Sequence, residues 1–236
     1  MNIISTFFKN LLEALKYLGW MTINPAKAMK NLVNEKKQVT YAWYAYGLSA
    51  FLFALILIPA ALFLRPTGWL PLFIKGIPSE MIYVYFLFTA PISFILNLLV
   101  FAAIEMTGLF VKKSEVYPFD STFSTSMMAI TLVVLLDFIT EAVPIIYFFI
   151  TNDSTSLFSI SDFIKSAITT QKTTAPHFNT FLLMFMFFMY GIMFCWMIGL
   201  LSTAVSVVKK VKVWQAVITG IVSTLLYWLV MTIWIF

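Results

Sequence analysis

Five apolar stretches, each about 20 residues or longer, constrain the fold of this 236-residue chain more than any other feature. An α-helix needs about 20 apolar residues to cross the hydrocarbon core of a bilayer, so each stretch predicts a transmembrane span. The predicted spans are residues 41–64, 82–104, 123–150, 178–207 and 214–236. The sequence therefore predicts an all-α integral membrane protein, in which a cytoplasmic region (1–40) precedes a five-span membrane domain (41–236).

Composition excludes a water-soluble globular domain. Hydrophobic residues make up 61% of the chain and charged residues 11%, whereas soluble domains have about 45–50% and about 25%. The net charge of +5 is first a topology signal in such a chain, and nucleic acid is not an expected partner. With one cysteine and one histidine, the chain can form neither an intrachain disulfide nor a cysteine–histidine metal motif.

The distribution of basic residues predicts the topology. If the chain crosses the membrane at each predicted span, eleven of the fifteen Lys and Arg residues lie on the same side as the N-terminus. The richer side is cytoplasmic by the positive-inside rule. We therefore expect the N-terminus inside and the C-terminus outside.

The cytoplasmic region predicts two interfacial amphipathic helices. The first covers residues 3–18, ends near Gly19 and lies with its apolar half in lipid. That half contains Ile3, Ile4, Phe7, Phe8, Leu11, Leu12, Ala14, Leu15 and Leu18. The other half contains Ser5, Thr6, Lys9, Asn10, Glu13, Lys16 and Tyr17. Asn24 as N-cap and Pro25 at the first position predict the start of the second helix. Padding of the bundle, lipid sensing and docking of a protein partner on the cytoplasmic face all remain open roles.

Carboxylates inside a predicted span are costly and need an explanation. Asp137 and Glu141 are four residues apart, so they share one face of the third predicted span. The second predicted span carries Thr89, Ser93 and Asn97 at the same spacing, and its short connection to the third predicts an antiparallel pair. Counting residues inward from that connection places the two polar stripes at matching depths. We therefore predict one intramembrane cluster of these residues: Thr89, Ser93, Asn97, Asp137 and Glu141.

This cluster has two competing interpretations. Polar groups in membrane bundles commonly join helices by hydrogen bonds. Alternatively, two neighbouring carboxylates could hold a proton or a cation, so metal binding stays open. Catalysis is not expected, since no nucleophile–base pair and no phosphate loop accompany the acids, and no cofactor is implied.

Small residues recur every four positions in the fourth predicted span. These residues are Gly191, Cys195, Gly199 and Thr203. Such a stripe allows close approach of a neighbouring helix, and Gly220, with Ser223 or Thr224, offers a partner in the fifth predicted span. We expect this stripe to serve helix packing.

The order of these features is similar to the Yip family, the five-span membrane proteins named for interaction with Ypt/Rab GTPases. The resemblance runs from about residue 20 to 236 and is a pattern of spans and small residues. It is carried by an Asn-Pro-x-x-Ala helix start (Asn24, Pro25, Ala28), a short turn at 109–123, a Val-Pro-Ile segment (Val143, Pro144, Ile145), and Gly191 and Gly199. The Asp-Leu-Tyr-Gly-Pro motif of eukaryotic members is missing, so the resemblance is to the short prokaryotic form and Rab binding is not implied.

The Yip-like layout, the predicted interfacial helix and the missing catalytic set together predict a non-enzymatic protein of a prokaryotic cytoplasmic membrane, which shapes or organises the membrane or supports a partner complex. Membrane lipids are then its expected partners, and its oligomeric state stays open. The alternative is a permease or transporter component for a small solute or lipid, coupled to protons or cations through Asp137 and Glu141.

Overall fold

The computed structural model describes residues 3–64, 98, 100–104, 119–152 and 179–235, and it is all-helical over those residues. Six helices have defined bounds. They are α1 (Ile3–Ile23), α2 (Pro25–Val33), α3 (Gln38–Leu64), α4 (Phe119–Thr151), α5 (Thr180–Lys209) and α6 (Val213–Ile235). Residues 98 and 100–104 are also helical.

The junction between α1 and α2 follows one sequence expectation and departs from another. The Asn24 side chain accepts a hydrogen bond from the Lys27 backbone N–H at 3.1 Å, and Pro25 is the first residue of α2, as predicted. The expected helix end at Gly19 is wrong, because α1 continues to Ile23. A glycine inside a helix costs about 1 kcal/mol relative to alanine. Continuing the helix buries Met21 completely, which offsets that cost.

Two of these helices are long and apolar enough to cross a membrane by length and composition, namely α4 and α5. In α6 the shorter segment 213–229 is apolar as well. Pro144 lies inside α4 without ending it, although its ring removes one backbone hydrogen bond. One turn earlier, the Thr140 hydroxyl donates to the Leu136 carbonyl at 2.9 Å.

The predicted span bounds agree closely with four helices. The stretches 41–64 and 123–150 lie within α3 and α4, whereas 178–207 and 214–236 match α5 and α6 to within two residues at each end. Most of the stretch 82–104 lies outside the described residues. Its described part packs against the start of α4, with the Phe101 ring centroid 4.6 Å from that of Phe119 and 6.2 Å from that of Phe123.

One hydrophobic core joins all the described helices. Helix α5 packs against α4 and α6, α3 packs against α4, and α1 and α2 contact each other at one end of this bundle. Helix α1 also contacts α3, and α2 contacts α5 and α4. The core includes Met29 of α2, Met127 of α4 and Met197 of α5. The N-terminal helices are therefore packed on the bundle rather than separate from it.

Candidate functional site

Helix α1 presents three distinct faces. A charged face carries Lys9, Glu13 and Lys16, and the Lys16 ammonium lies 2.9 Å from the Glu13 carboxylate. A second stripe, at positions typical of one helix face, is buried against the bundle: Asn10, Ala14, Tyr17, Leu18 and Met21. The third face is apolar and exposed, with Ile4 63% exposed, Phe8 57% and Leu12 65%. Only part of the predicted apolar half is therefore covered by protein.

Tyr17 fixes α1 against the segment that follows α2. Its hydroxyl donates to the Glu35 carboxylate at 3.1 Å, and its ring stacks on Tyr41 with centroids 5.9 Å apart. Burial, followed by the hydrogen bond to the negatively charged Glu35, raises the pKa of the Tyr17 phenol well above its usual range. The sequence pattern placed Tyr17 on the polar side of α1. The structure shows that this hydroxyl faces protein rather than water.

A layer of buried hydroxyl groups lies at the start of α4. Five residues between 121 and 126 are each at most 1% exposed: Ser121, Thr122, Ser124, Thr125 and Ser126. The Gln38 side chain joins this layer to α3, since its amide donates to Ser121 Oγ at 3.3 Å and its carbonyl accepts from Ser124 Oγ at 3.0 Å. The layer joins helices by hydrogen bonds. The run of serine and threonine was the available sequence signal, but Gln38 was not predicted as its partner.

The predicted polar cluster is described only in part. Thr89, Ser93 and Asn97 lie outside the described residues, as does the side chain of Glu141, so their approach to Asp137 stays a prediction. Asp137 is partly buried on α4. It lies within electrostatic range of Tyr227 on α6, a buried residue that is in turn within range of Tyr46 on α3.

The surroundings of Asp137 therefore include the phenol group of Tyr227 from α6. Sequence reasoning paired Asp137 with the second span and missed Tyr227. The signal available was a tyrosine in the middle of an otherwise apolar stretch, because a buried phenol usually has a polar neighbour.

In the small-residue stripe of α5, neither glycine contacts the described residues of α6. Gly191, Cys195 and Gly199 are exposed, and no described atom lies within 4 Å of a Cβ built on either glycine. The Thr203 hydroxyl donates to the Gly199 carbonyl at 2.8 Å, within its own helix.

Gly220 does make a close contact, but with a neighbouring face of α5. A Cβ added there would overlap Ser202 Oγ and would lie 2.9 Å from both the Ile198 carbonyl oxygen and the Ser202 backbone nitrogen. Helices α5 and α6 thus meet through Ile198, Ser202 and Gly220. Gly220 therefore packs closely against α5, but it does so at Ile198 and Ser202 rather than at its predicted partner Gly199.

No group of three or more His, Cys, Asp or Glu residues that could hold a metal ion occurs among the described residues. Comparison with protein-family models, with curated proteins and with solved structures gave no match.

Proposed function

We propose that this chain is a non-enzymatic, Yip-like membrane protein that organises the cytoplasmic leaflet through α1. The observation that supports the proposal most is the exposed apolar face of α1, which includes Ile4, Phe8 and Leu12. These side chains stand beside the charged face of the same helix, as in helices that lie at a membrane interface.

The energetics favour lipid as the cover of this face. Full burial of one such side chain stabilises by about 1.5–3 kcal/mol. Between residues 4 and 15 of α1, five large apolar side chains are more than two-fifths exposed: Ile4, Phe7, Phe8, Leu12 and Leu15. Because the buried stripe of α1 is already packed on the bundle, insertion of the exposed face into lipid requires no new ordering of the helix.

The proposed membrane placement uses α3 to α6 as four spans and residues 82–104 as the fifth, with α1 and α2 on the cytoplasmic side. The excess of Lys and Arg on that side supports this orientation. Helix α1 then lies at the level of the headgroups and displaces them on one leaflet only. Such one-sided insertion favours curvature of the bilayer.

Cysteine labelling tests the position of α1. In a Cys195→Ser background, Leu12→Cys and Lys9→Cys are compared in vesicles that contain the full chain. We expect a membrane-impermeant maleimide to label the Lys9 position at least about tenfold faster, as about 1.4 kcal/mol of lipid protection implies. Equal rates would show that α1 does not lie in the interface.

Vesicle size tests the organising role itself. We expect vesicles reconstituted with the intact chain to have a smaller mean diameter by light scattering than vesicles with the triple variant Ile4→Ser, Phe8→Ser, Leu12→Ser. The variant keeps the buried stripe of α1, so folding is not the variable. Identical size distributions would contradict the role, even if labelling places α1 in lipid.

A transport role is the second candidate, and the position of Asp137 supports it. A carboxylate near Tyr227 inside the bundle could bind a proton on a path across the membrane. The double variant Asp137→Asn, Glu141→Gln discriminates the candidates. Loss of a pH-dependent flux in proteoliposomes, with an unchanged melting temperature, would favour a permease over the organising role.

A further inference from the structure

A cavity of about 810 Å³ lies between α2 and the turn that joins α5 to α6. This volume falls in the range of about 300–1,000 Å³ that small-molecule sites occupy. Side chains of α2, of the last two turns of α5 and of the first turns of α6 line it. Two regions that are distant in sequence, namely α2 and the pair α5–α6, therefore form one site.

The chemistry of the lining changes along the cavity. Lys30 of α2 and Lys210 at the end of α5 supply two cationic side chains, and none of the described lining residues is acidic. Hydroxyl groups of Ser202, Thr203 and Ser206 follow along α5. At 1.5 Å per residue, Ser206 lies about 6 Å and Ser202 about 12 Å from Lys210 along the helix axis.

Valines of the turn and of α6, including Val213 and Val217, form an apolar wall of the cavity. Both of these residues are exposed. A ligand that fills the cavity would thus meet two lysines, a row of hydroxyl groups on α5 and a hydrocarbon surface formed by the valines.

We propose that this cavity binds the headgroup of an anionic phospholipid. The lipid phosphate would lie at Lys30 and Lys210, the glycerol ester oxygens near the hydroxyl groups of α5, and the acyl chains along the valine wall. A soluble phosphate would leave that wall facing water. The inference rests on the proposed membrane placement of α5 and α6, since basic residues at the cytoplasmic end of spans attract anionic lipids.

The backbone of Lys210 supports a specific role for this residue. Lys210 has φ 49° and ψ 35°, the left-handed conformation, at the C-terminal cap of α5. Glycine is the residue usually found in that conformation after a helix, because a side chain is disfavoured there. Lys210→Gly therefore removes the cation while it relieves the backbone, so a loss of lipid binding would not arise from unfolding.

The test measures retention of phosphatidylglycerol and of phosphatidylcholine by the full chain in detergent, using native mass spectrometry. We expect phosphatidylglycerol to be retained preferentially. Lys30→Gln and Lys210→Gly should each weaken its apparent affinity about fivefold, as expected for one basic residue near an anionic lipid. Val217→Trp should weaken it as well, because the larger side chain fills the cavity and leaves every lysine in place.

Lys27→Gln is the matched control, because Lys27 lies on α2 three residues before Lys30 and is not part of the lining. An equal loss in Lys27→Gln and Lys30→Gln would mean diffuse attraction and would overturn the site. Displacement of phosphatidylglycerol by glycerol phosphate would show that the occupant is a soluble phosphate, and would overturn the lipid assignment. Equal retention of both lipids by the unaltered chain would also overturn it.

The melting temperature of each lipid-free variant is measured alongside. We expect Lys210→Gly to melt no lower than the unaltered chain. If it melts lower, Lys30→Gln and Val217→Trp, which alter exposed residues, decide the outcome. The measurement is made without a bilayer, so its result is independent of whether α1 inserts in lipid.

Discussion

Helices α1 and α2 both carry apolar side chains, but the structure buries those of α2 and leaves many of those of α1 exposed. In α2 the apolar residues Ala28, Met29 and Leu32 are each at most 1% exposed. In α1, Ile4, Phe8 and Leu12 are each more than half exposed. The pattern of apolar residues in the sequence thus predicts an apolar face, but not whether protein covers it.

The difference follows from how each helix is held. Helix α2 has nine residues and packs among α1, α4 and α5, so its short apolar face is enclosed. Helix α1 has 21 residues and packs on the bundle only through its buried stripe. The comparison predicts that the same substitution on the two helices will have different consequences, one on folding and the other on lipid contact.

The largest effect is expected from Leu32→Asp in α2. Leu32 is fully buried, so the variant places an unpaired carboxylate in the core of the bundle. A buried charge without a partner destabilises by about 3–5 kcal/mol. The free energy of unfolding in detergent should fall by that amount, measured by chemical denaturation and followed by tryptophan fluorescence.

Leu12→Asp in detergent is the matched control for this prediction. Leu12 is exposed on α1, and substitutions at exposed positions usually change stability by no more than about 0.5 kcal/mol. Equal losses for Leu32→Asp and Leu12→Asp would mean that α1 and α2 are covered alike, and the comparison would fail.

In vesicles Leu12→Asp is the informative variant, because the proposed contact of α1 with lipid is present there. Loss of one leucine from lipid removes about 1.5–3 kcal/mol of stabilisation. We expect trypsin to cleave after Lys9, on the charged face of α1, at least about tenfold faster in the variant. An unchanged cleavage rate would show that lipid does not cover the apolar face of α1.

Sequence alone predicted the helices well and their neighbours less well. Four apolar stretches match α3 to α6, and the cap at Asn24 is confirmed, because length, hydropathy and capping are local properties. A helical wheel divided into an apolar and a polar half cannot represent the three faces of α1. Asn10 and Tyr17 therefore fall in the polar half, which is expected to face water, although both are buried.

The candidate site shows the same limit. Because a carboxylate inside a span is energetically costly, the sequence identified Asp137 as a candidate site residue. It did not identify Tyr227 as a neighbour, because the distance between Tyr227 and Asp137 depends on how α4 and α6 pack. The contact of Gly220 with Ser202 rather than Gly199 has the same cause. A spacing of four residues identifies a stripe but does not fix which side of the helix meets its neighbour. The basic residues at the cavity were counted for topology, and only the fold brings Lys30 and Lys210 to one site.

A smaller effect is expected at the junction between the two helices. Asn24→Ala removes the side chain that accepts from the Lys27 N–H and should destabilise by about 1 kcal/mol. Asn24→Ser should restore most of that stability, because serine caps equally well. The cap belongs to α2, so trypsin cleavage after Lys9 in vesicles should not change. A faster cleavage would mean that α1 depends on α2 for its contact with lipid.

The smallest effect is expected from Tyr17→Phe. This substitution removes the hydrogen bond between α1 and the segment after α2 and leaves the apolar faces unchanged. The lost hydrogen bond should cost about 0.5–1.5 kcal/mol at neutral pH, toward the lower end because Glu35 is exposed to water. The pKa of Tyr17 is raised in the folded chain, so its contribution is complete below the ordinary tyrosine pKa of about 10. It is lost as the pH rises above that value, because the unfolded chain ionises first. The gap in unfolding free energy between the unaltered chain and Tyr17→Phe should therefore narrow above pH about 10. A constant gap across that range would show that the hydroxyl of Tyr17 is not what holds α1 to α2, and that packing of its ring on Tyr41 is sufficient.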